Sequence, residues 1–316
     1  MQNLKRKIIK YFICCSFGTS VVESVISSMY DDWLFLIVKN DSLWMKLLLI
    51  SYWLLTVLVF VVFALIFIRM TEKQIEEVTK RNIEEKNQMY ANIVHDLKTP
   101  ITSILGFAGA LRENELVGHE RQKAVDIIYS KAKRTDELIQ RLFTYSKLES
   151  SQHKLQLQIE NVCGLLRVII ADLYEAFEAK NIELEIEIPD QPIYCSLDRV
   201  EFRRAIHNLI ENTLKHNEEG IRVLISVTEV DNRVIILVAD SGDAIKASIR
   251  DTIYEPFVCG DDSRNSTGGS GLGLAISKKI LEKHHGDLGL VEEVDGYTKG
   301  FIVKLQKSKT IQQKRN

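Results

Sequence analysis

Tyr90-Ala-Asn-Ile-Val-His95-Asp96-Leu97-Lys98-Thr99-Pro100-Ile101-Thr102 is the stretch on which the reading of this chain turns. In a helix, residues four apart share a face, so His95 and Thr99 stand one turn apart on the same side. Asp96, beside the imidazole, has the reach to hydrogen-bond one ring nitrogen, fixing the tautomer and leaving the other nitrogen nucleophilic. Pro100 lacks a backbone N–H and is expected to bend the helix just past the histidine. A single histidine on a helix is most often structural. This one gains weight from the glycine- and asparagine-containing motifs that the chain carries further on.

Toward the N-terminus, residues from Arg69 to Leu111 include no Gly or Pro before Pro100, and Glu, Lys, Gln and Arg dominate, as in a long exposed helix. Ile75, Val78, Ile83, Met89 and Ile93 form an imperfect apolar seam, which suggests a parallel pair of such helices. Before it, Leu47 to Ile68 carries no charged residue and, at ~1.5 Å per residue, is long enough for a ~30 Å hydrocarbon layer. A weaker apolar run covers about 8–29 and includes Glu23 toward its outer end. A cleaved signal peptide is disfavoured, since no small-x-small site follows this run. Lys5, Arg6 and Lys7 precede the first run and Arg69 closes the second, so the positive-inside rule predicts a multi-pass protein of the cell membrane with both termini cytoplasmic. Tyr30, Trp33 and Trp44 are then interfacial aromatics. The outer loop, about Tyr30 to Lys46, is too short for a folded sensor domain. The stimulus is therefore expected through the bilayer-embedded helices or a membrane partner such as a transporter.

Toward the C-terminus, Arg112 to His119 reads as a break, followed by a second long helix over Glu120–Ser150. Its seam includes Ala124, Ile127, Ile128, Ala132, Leu138, Ile139, Leu142 and Leu148. Two helices with narrow apolar stripes cannot bury them alone, so two copies are expected to pair into a four-helix bundle, making a homodimer. Beyond it the pattern alternates. Ile182-Glu-Leu-Glu-Ile-Glu-Ile is a half-buried strand, and Ile221–Val230 with Arg233–Ala239 reads as a hairpin turning at Asp231-Asn232. Helices are predicted near 162–179, 199–216 and 271–285. Asn208, Asn212, Lys215 and His216 share one polar face of the middle helix, opposite Ile206, Ile210 and Leu214. An asparagine oxygen suits Mg²⁺, a hard ion.

The His95–Pro100 segment, HDLKTP, resembles the phospho-acceptor box of bacterial sensor histidine kinases. Asn208-Leu-Ile-Glu-Asn212-Thr-Leu-Lys215-His216, Asp240-Ser-Gly242, Tyr254-Glu-Pro-Phe257 and Gly268-Gly269-Ser-Gly271-Leu272-Gly273-Leu274 are similar to that family's nucleotide-binding boxes and occur in its order. The resemblance covers roughly residues 70–306. It implies an α/β sandwich like those of gyrases and Hsp90-type chaperones, with ATP and Mg²⁺ as ligands. It also implies that His95 accepts the γ-phosphate, that Asp96 activates or orients it, and that Thr99 serves dephosphorylation of a response regulator. Asn212 would hold the metal, with Asn208 beside it and Lys215 and His216 toward the phosphates. Asp240 would accept from the adenine amino group, with Gly242 and Ile245 at the base. Residues 255–270 would form a flexible lid, anchored by Phe257, with Arg264 reaching the phosphates. Gly269, Gly271, Leu272, Gly273 and Leu274 would open a helix whose N-terminal amides favour phosphate. The sequence departs from the family at Ala244, where a second glycine is usual. A methyl group there is strained if the position needs φ > 0, and altered nucleotide affinity is expected.

The expected organisation is multidomain: a membrane domain (1–69, spans about 8–29 and 47–68), a signalling helix and dimerising phospho-acceptor hairpin (70–151), an α/β sandwich ATP-binding domain (152–307) and a polar tail (308–316). The phosphate is expected to pass to an aspartate of a separate cognate response regulator. The runner-up is a phosphatase-dominant or catalytically weak membrane sensor that gates its regulator. A formal net charge of −2 gives no reason to expect direct nucleic-acid binding. Cys14, Cys15, Cys163, Cys195 and Cys259 form no C-x-x-C pair and no zinc spacing, and are read as reduced thiols.

Overall fold

The computed structural model describes residues 2–37, 42–150, 152–258 and 270–308. It divides into two units, Met1–Gln88 and Met89–Asn316. In the first, α1 (Gln2–Ile37) lies antiparallel to the first part of α2 (Ser42–Arg112). Phe12 meets Phe67 edge-on with ring centroids 6.0 Å apart, and Tyr30 meets Tyr52 at 5.2 Å and hydrogen-bonds Ser51 at 2.8 Å. Between these contacts Gly18 faces Phe63, where an added Cβ would stand 2.7 Å from the ring. A small residue there lets the two helices approach. Large apolar side chains face outward, with Phe17 72%, Trp53 67% and Phe60 65% exposed. Both helices are long and apolar enough to cross a membrane, by length and composition.

The outer loop expected over Tyr30–Lys46 is mostly helix instead, since α1 runs to Ile37 and α2 starts at Ser42. The sequence around Tyr30 contains no Gly or Pro to stop a helix. Apolar composition marks where lipid contact would begin, whereas a helix ends only where its backbone bonds do.

In the second unit, the end of α2 and α3 (His119–Glu149) form a helical hairpin that turns through Gly118 at φ 58°. Pro100 lies within α2 without ending it. Around it, the hydroxyls of Thr99, Thr102 and Ser103 donate to the carbonyls four residues earlier. Ile93, Tyr145 and Leu148 are buried, with Met89, Leu97, Leu138 and Leu142 against them. Other apolar residues of the hairpin stay exposed in the single chain, among them Leu105 at 68%, Tyr129 at 72% and Phe143 at 68%.

The remainder is a two-layer α/β sandwich. In chain order it comprises β1 (Gln158–Asn161), α4 (Val162–Ala179), β2 (Glu183–Glu187), β3 (Tyr194–Leu197), α5 (Arg199–His216), β4 (Arg222–Val230) and β5 (Arg233–Asp240), then α6 (Gly273–Lys283), β6 (Asp287–Val294) and β7 (Tyr297–Gln306). One sheet has the order β2-β4-β5-β7-β6, with β2 and β4 parallel and the other pairs antiparallel. β1 and β3 pair separately. Asp231 and Asn232, at φ 48° and 63°, make the tight turn between β4 and β5; paired positive φ matches the twist of the flanking strands. Alternate residues of the sheet (Val223, Ile225 and Val227 on β4, Val234, Ile236 and Val238 on β5, Phe301 and Val303 on β7) are buried in one cluster with α4, α5 and α6.

Asp198 starts α5. Its carboxylate accepts from the amides of Val200 and Glu201 at 3.1 Å each, and from Gln156 N at 2.9 Å. Burial works to raise its pKa, but the Gln156, Glu201 and Val200 amides outweigh this and hold it below the usual carboxylate value. The Asp198 N–H donates to Nε2 of buried His284 at 2.9 Å, tying the start of α5 to the end of α6. Asp198→Ala should cost about 1 kcal/mol or more. Amide hydrogen exchange of the first turn of α5 should rise by roughly tenfold; unchanged exchange would remove this cap from the account.

Candidate functional site

His95 is exposed on α2, its side chain 74% accessible, and its Nδ1 lies 3.2 Å from Asp96 Oδ1. This pairing fits the tautomer with the proton on Nδ1 and leaves the Nε2 lone pair free to attack. Thr99 stands one turn further along, its hydroxyl donating to the His95 carbonyl at 3.3 Å.

A second group of residues gathers where α5, β5, β7 and the start of α6 converge. Asp240, the last residue of β5, is only 1% exposed. Its Oδ1 accepts from the Gly242 amide at 3.1 Å and from Lys299 Nζ at 2.6 Å. Lys299, on β7 and 7% exposed, also donates to Asn217 Oδ1 at 3.0 Å and to the Asp243 carbonyl at 2.5 Å. Asn217, buried at the end of α5, donates in turn to the Thr213 carbonyl at 2.9 Å. A Cβ on Gly242 would collide with the Asn217 side-chain oxygen, so glycine is needed there for space.

The polar face of α5 points partly into this region. Asn208 Nδ2 donates to the Gly273 carbonyl at 3.3 Å, joining α5 to the first residue of α6. Lys215 pairs with Glu211 at 3.1 Å. Loss of water around the His216 ring, then the positive charges of Lys215, Lys299 and Lys180, hold its pKa below the ordinary imidazole value. Asn212 makes no side-chain hydrogen bond among the described residues, so its amide oxygen is available to a ligand. Ile245 packs partly buried against the core. Phe257 is 1% exposed at φ 65°, and its amide donates to the Gly271 carbonyl at 3.1 Å. Leu272 is fully buried and Leu274 packs on the core, so of Leu272 only the backbone is free to face a ligand. Arg264 and Gly269, and most of the expected lid, lie outside the described residues.

Ala244 is not among the described residues with left-handed φ, so the strain expected of a methyl there does not arise. Sequence reading singles out neither Lys299 nor Asn217. The available signal is a lysine inside an otherwise largely apolar strand, Gly300-Phe-Ile-Val following it directly.

The end of α3 is bound to this domain. Glu149 pairs with Lys279 at 2.6 Å, Lys283 donates to the His153 carbonyl at 2.9 Å, and Arg141 lies 3.7 Å from Glu211.

The family model described as histidine kinase-, DNA gyrase B- and HSP90-like ATPase matches residues 197–309, and the His Kinase A phospho-acceptor model matches residues 85–151. The chain belongs to the sensor histidine kinases. It is 32% identical over 207 residues to the sensor protein GtcS of Aneurinibacillus migulanus, covering 65% of this chain and 56% of that protein. It is 27% identical over 216 residues to the sensor histidine kinase YcbM of Bacillus subtilis, covering 68% of this chain and 70% of that one. Among solved structures, histidine kinase ThkA in complex with the response regulator protein TrrA shares the fold at TM-score 0.59 and 21% identity, covering 75% of this chain and 66% of that one. This sensor histidine kinase thus holds both family parts, the phospho-acceptor hairpin and the ATPase-type sandwich.

Two glycines at the start of α6 make a matched test. Gly271, at φ 63°, has Phe257 backbone atoms 2.7 and 2.8 Å from any added Cβ, whereas nothing lies within 4 Å of one on Gly273. Gly271→Ala should cost more than about 1 kcal/mol, and Gly273→Ala should be neutral or slightly stabilising. Denaturant midpoints of the two variants check this; equal midpoints would contradict it.

Proposed function

We propose that this chain is a membrane-bound, homodimeric kinase that transfers the γ-phosphate of ATP to His95 and then to an aspartate of a separate response regulator. The observation that carries the reading is His95 itself, exposed and bonded through Nδ1 to Asp96. Nε2 attacks the γ-phosphorus, the bond to the bridging oxygen breaks, and ADP leaves. Asp96 holds the Nδ1 proton and offsets the charge that develops on the ring.

The adenine end is read at Asp240, where Oδ1 is already engaged and Oδ2 remains to accept the exocyclic amino group. Asn208, Lys215, His216 and the α6 N-terminal amides line the path expected for the phosphates. The free amide oxygen of Asn212 fits Mg²⁺, which binds through few protein groups and otherwise through phosphate and water. When bound, the ion would neutralise phosphate charge. Arg264 and Gly269 are assigned to the same nucleotide by resemblance alone.

Exposed apolar residues such as Leu105, Tyr129 and Phe143 support burial against a second copy of the hairpin. The outward apolar faces of α1 and the first part of α2 support a lipid surrounding, with both termini cytoplasmic by the basic flanks. ThkA is seen with a response regulator, which supports a regulator as the partner here. With at most a few residues between α1 and α2, the stimulus would come through these helices or a membrane partner such as a transporter. Thr99 would position water against the regulator's phospho-aspartate.

The test uses the full chain in lipid nanodiscs with γ-labelled ATP and Mg²⁺. Acid-labile, base-stable label should appear, vanish in His95→Gln, and fall by orders of magnitude in Asn212→Ala. Thr99→Ala should label within a fewfold of wild type but dephosphorylate the regulator slowly. Label persisting in His95→Gln would move the acceptor elsewhere. Absence of label with brisk regulator dephosphorylation would favour the phosphatase-dominant sensor.

A further inference from the structure

The buried cation at the end of β5 goes beyond this reading, although what it does rests on the nucleobase lying at Asp240. An ammonium has three protons to donate. Those of Lys299 are matched by three acceptors: Asp240 Oδ1 at 2.6 Å, Asn217 Oδ1 at 3.0 Å and the Asp243 carbonyl at 2.5 Å. None is left over for a ligand. On the carboxylate the division is equally sharp. Oδ1 takes both Lys299 and the Gly242 amide, and Oδ2 takes no hydrogen bond among the described residues.

We infer that Lys299 is a positioning residue for nucleobase selection: by pinning Asp240 Oδ1 it presents Oδ2 as a fixed, charged acceptor that takes a 6-aminopurine and rejects a 6-oxopurine. The ammonium offsets the cost of burying the carboxylate charge. It also stops the carboxylate from turning. Asn217 holds the ammonium from α5, while the Asp243 carbonyl holds it from the loop after β5, so three separate elements fix one oxygen. A carboxylate presented in this way accepts from an exocyclic N–H and repels a carbonyl oxygen at the same place. A site built to pair a hydrogen-bonding group discriminates strongly, because the wrong ligand leaves a buried polar atom unpaired.

The experiment titrates the full chain in nanodiscs with ATP and with ITP, which carries oxygen in place of the amino group, by displacement of a fluorescent ATP analogue. Wild type should favour ATP over ITP by at least tenfold. In Lys299→Met, ATP should weaken by at least tenfold while ITP stays within threefold, so that the preference collapses. A purely structural role would weaken both nucleotides alike, and that result overturns the inference, as does an unchanged preference. If Lys299→Met does not fold, Lys299→Gln decides, since its amide still donates to Oδ1 without the charge. It should keep a reduced preference of about threefold with ITP unaffected; a full wild-type preference, or equal weakening of both, overturns the inference. Wild-type protein that binds neither nucleotide would instead sink the reading of the site as a nucleotide pocket, a result distinct from a misassigned Lys299.

Discussion

A negative charge buried at the end of β5 organises the ATPase-type half of this molecule. Asp240 is almost wholly removed from water, and such a carboxylate is tolerable only when paired and hydrogen-bonded. The partners come from three directions: Lys299 on β7, the Gly242 amide two residues on, and Asn217 at the end of α5 by way of the lysine. Meeting that requirement sets where the chain leaves β5, requires a glycine at 242 and fixes the end of α5. The polar face of α5 and the start of α6, joined by Asn208 and the Gly273 carbonyl, are thereby held beside the same carboxylate.

The acceptor side obeys the opposite constraint. As the proposed acceptor, His95 would have to meet a phosphate that arrives from outside its own helix; it stands exposed, its ring bonded to its neighbour Asp96. Few groups hold it, and they are local. Under the proposed function, the contrast between a deeply supported Asp240 and a lightly held His95 suits a reaction in which two parts must approach, react and separate. Ion pairs from the end of α3 to α6 and α5, such as Glu149–Lys279, join the two parts alongside the Lys283–His153 hydrogen bond and the apolar cluster that Tyr145 and Leu148 share with the ATPase-type domain. Being partly exposed, each ion pair is weak alone and can exchange as the parts move.

Much of this was legible in the sequence where local rules decide. The β4–β5 hairpin was readable because Asp231-Asn232 can adopt positive φ between two apolar runs; α4 and α5 lie where the sequence places helices, and the structure adds the Asn161 and Asp198 caps that open them. α6 starts two residues later than the sequence pattern predicts, since Gly271 keeps a left-handed φ that a helix excludes. The break after Arg112 was legible, but the helical turns beyond Tyr30 in α1 and before Leu47 in α2 were not, because hydropathy reports lipid-compatible surface, whereas helical hydrogen bonding continues past it. Strain at Ala244 was inferred from a family habit and fails because the backbone there takes another path. Lys299 and Asn217 were illegible for a different reason. Their bonds join residues 59 and 82 positions apart, and only the assembled sheet brings them together.

The central claim is that one nitrogen of one side chain receives the phosphate. The most direct test is to locate it: incubate the full chain with ATP and Mg²⁺, digest at neutral to alkaline pH with trypsin, and sequence the phosphopeptides by electron-transfer fragmentation. The account predicts a single added phosphoryl group on the peptide Asn87–Lys98, with the fragment series placing it on His95. A phosphoryl group placed on any other residue would contradict it.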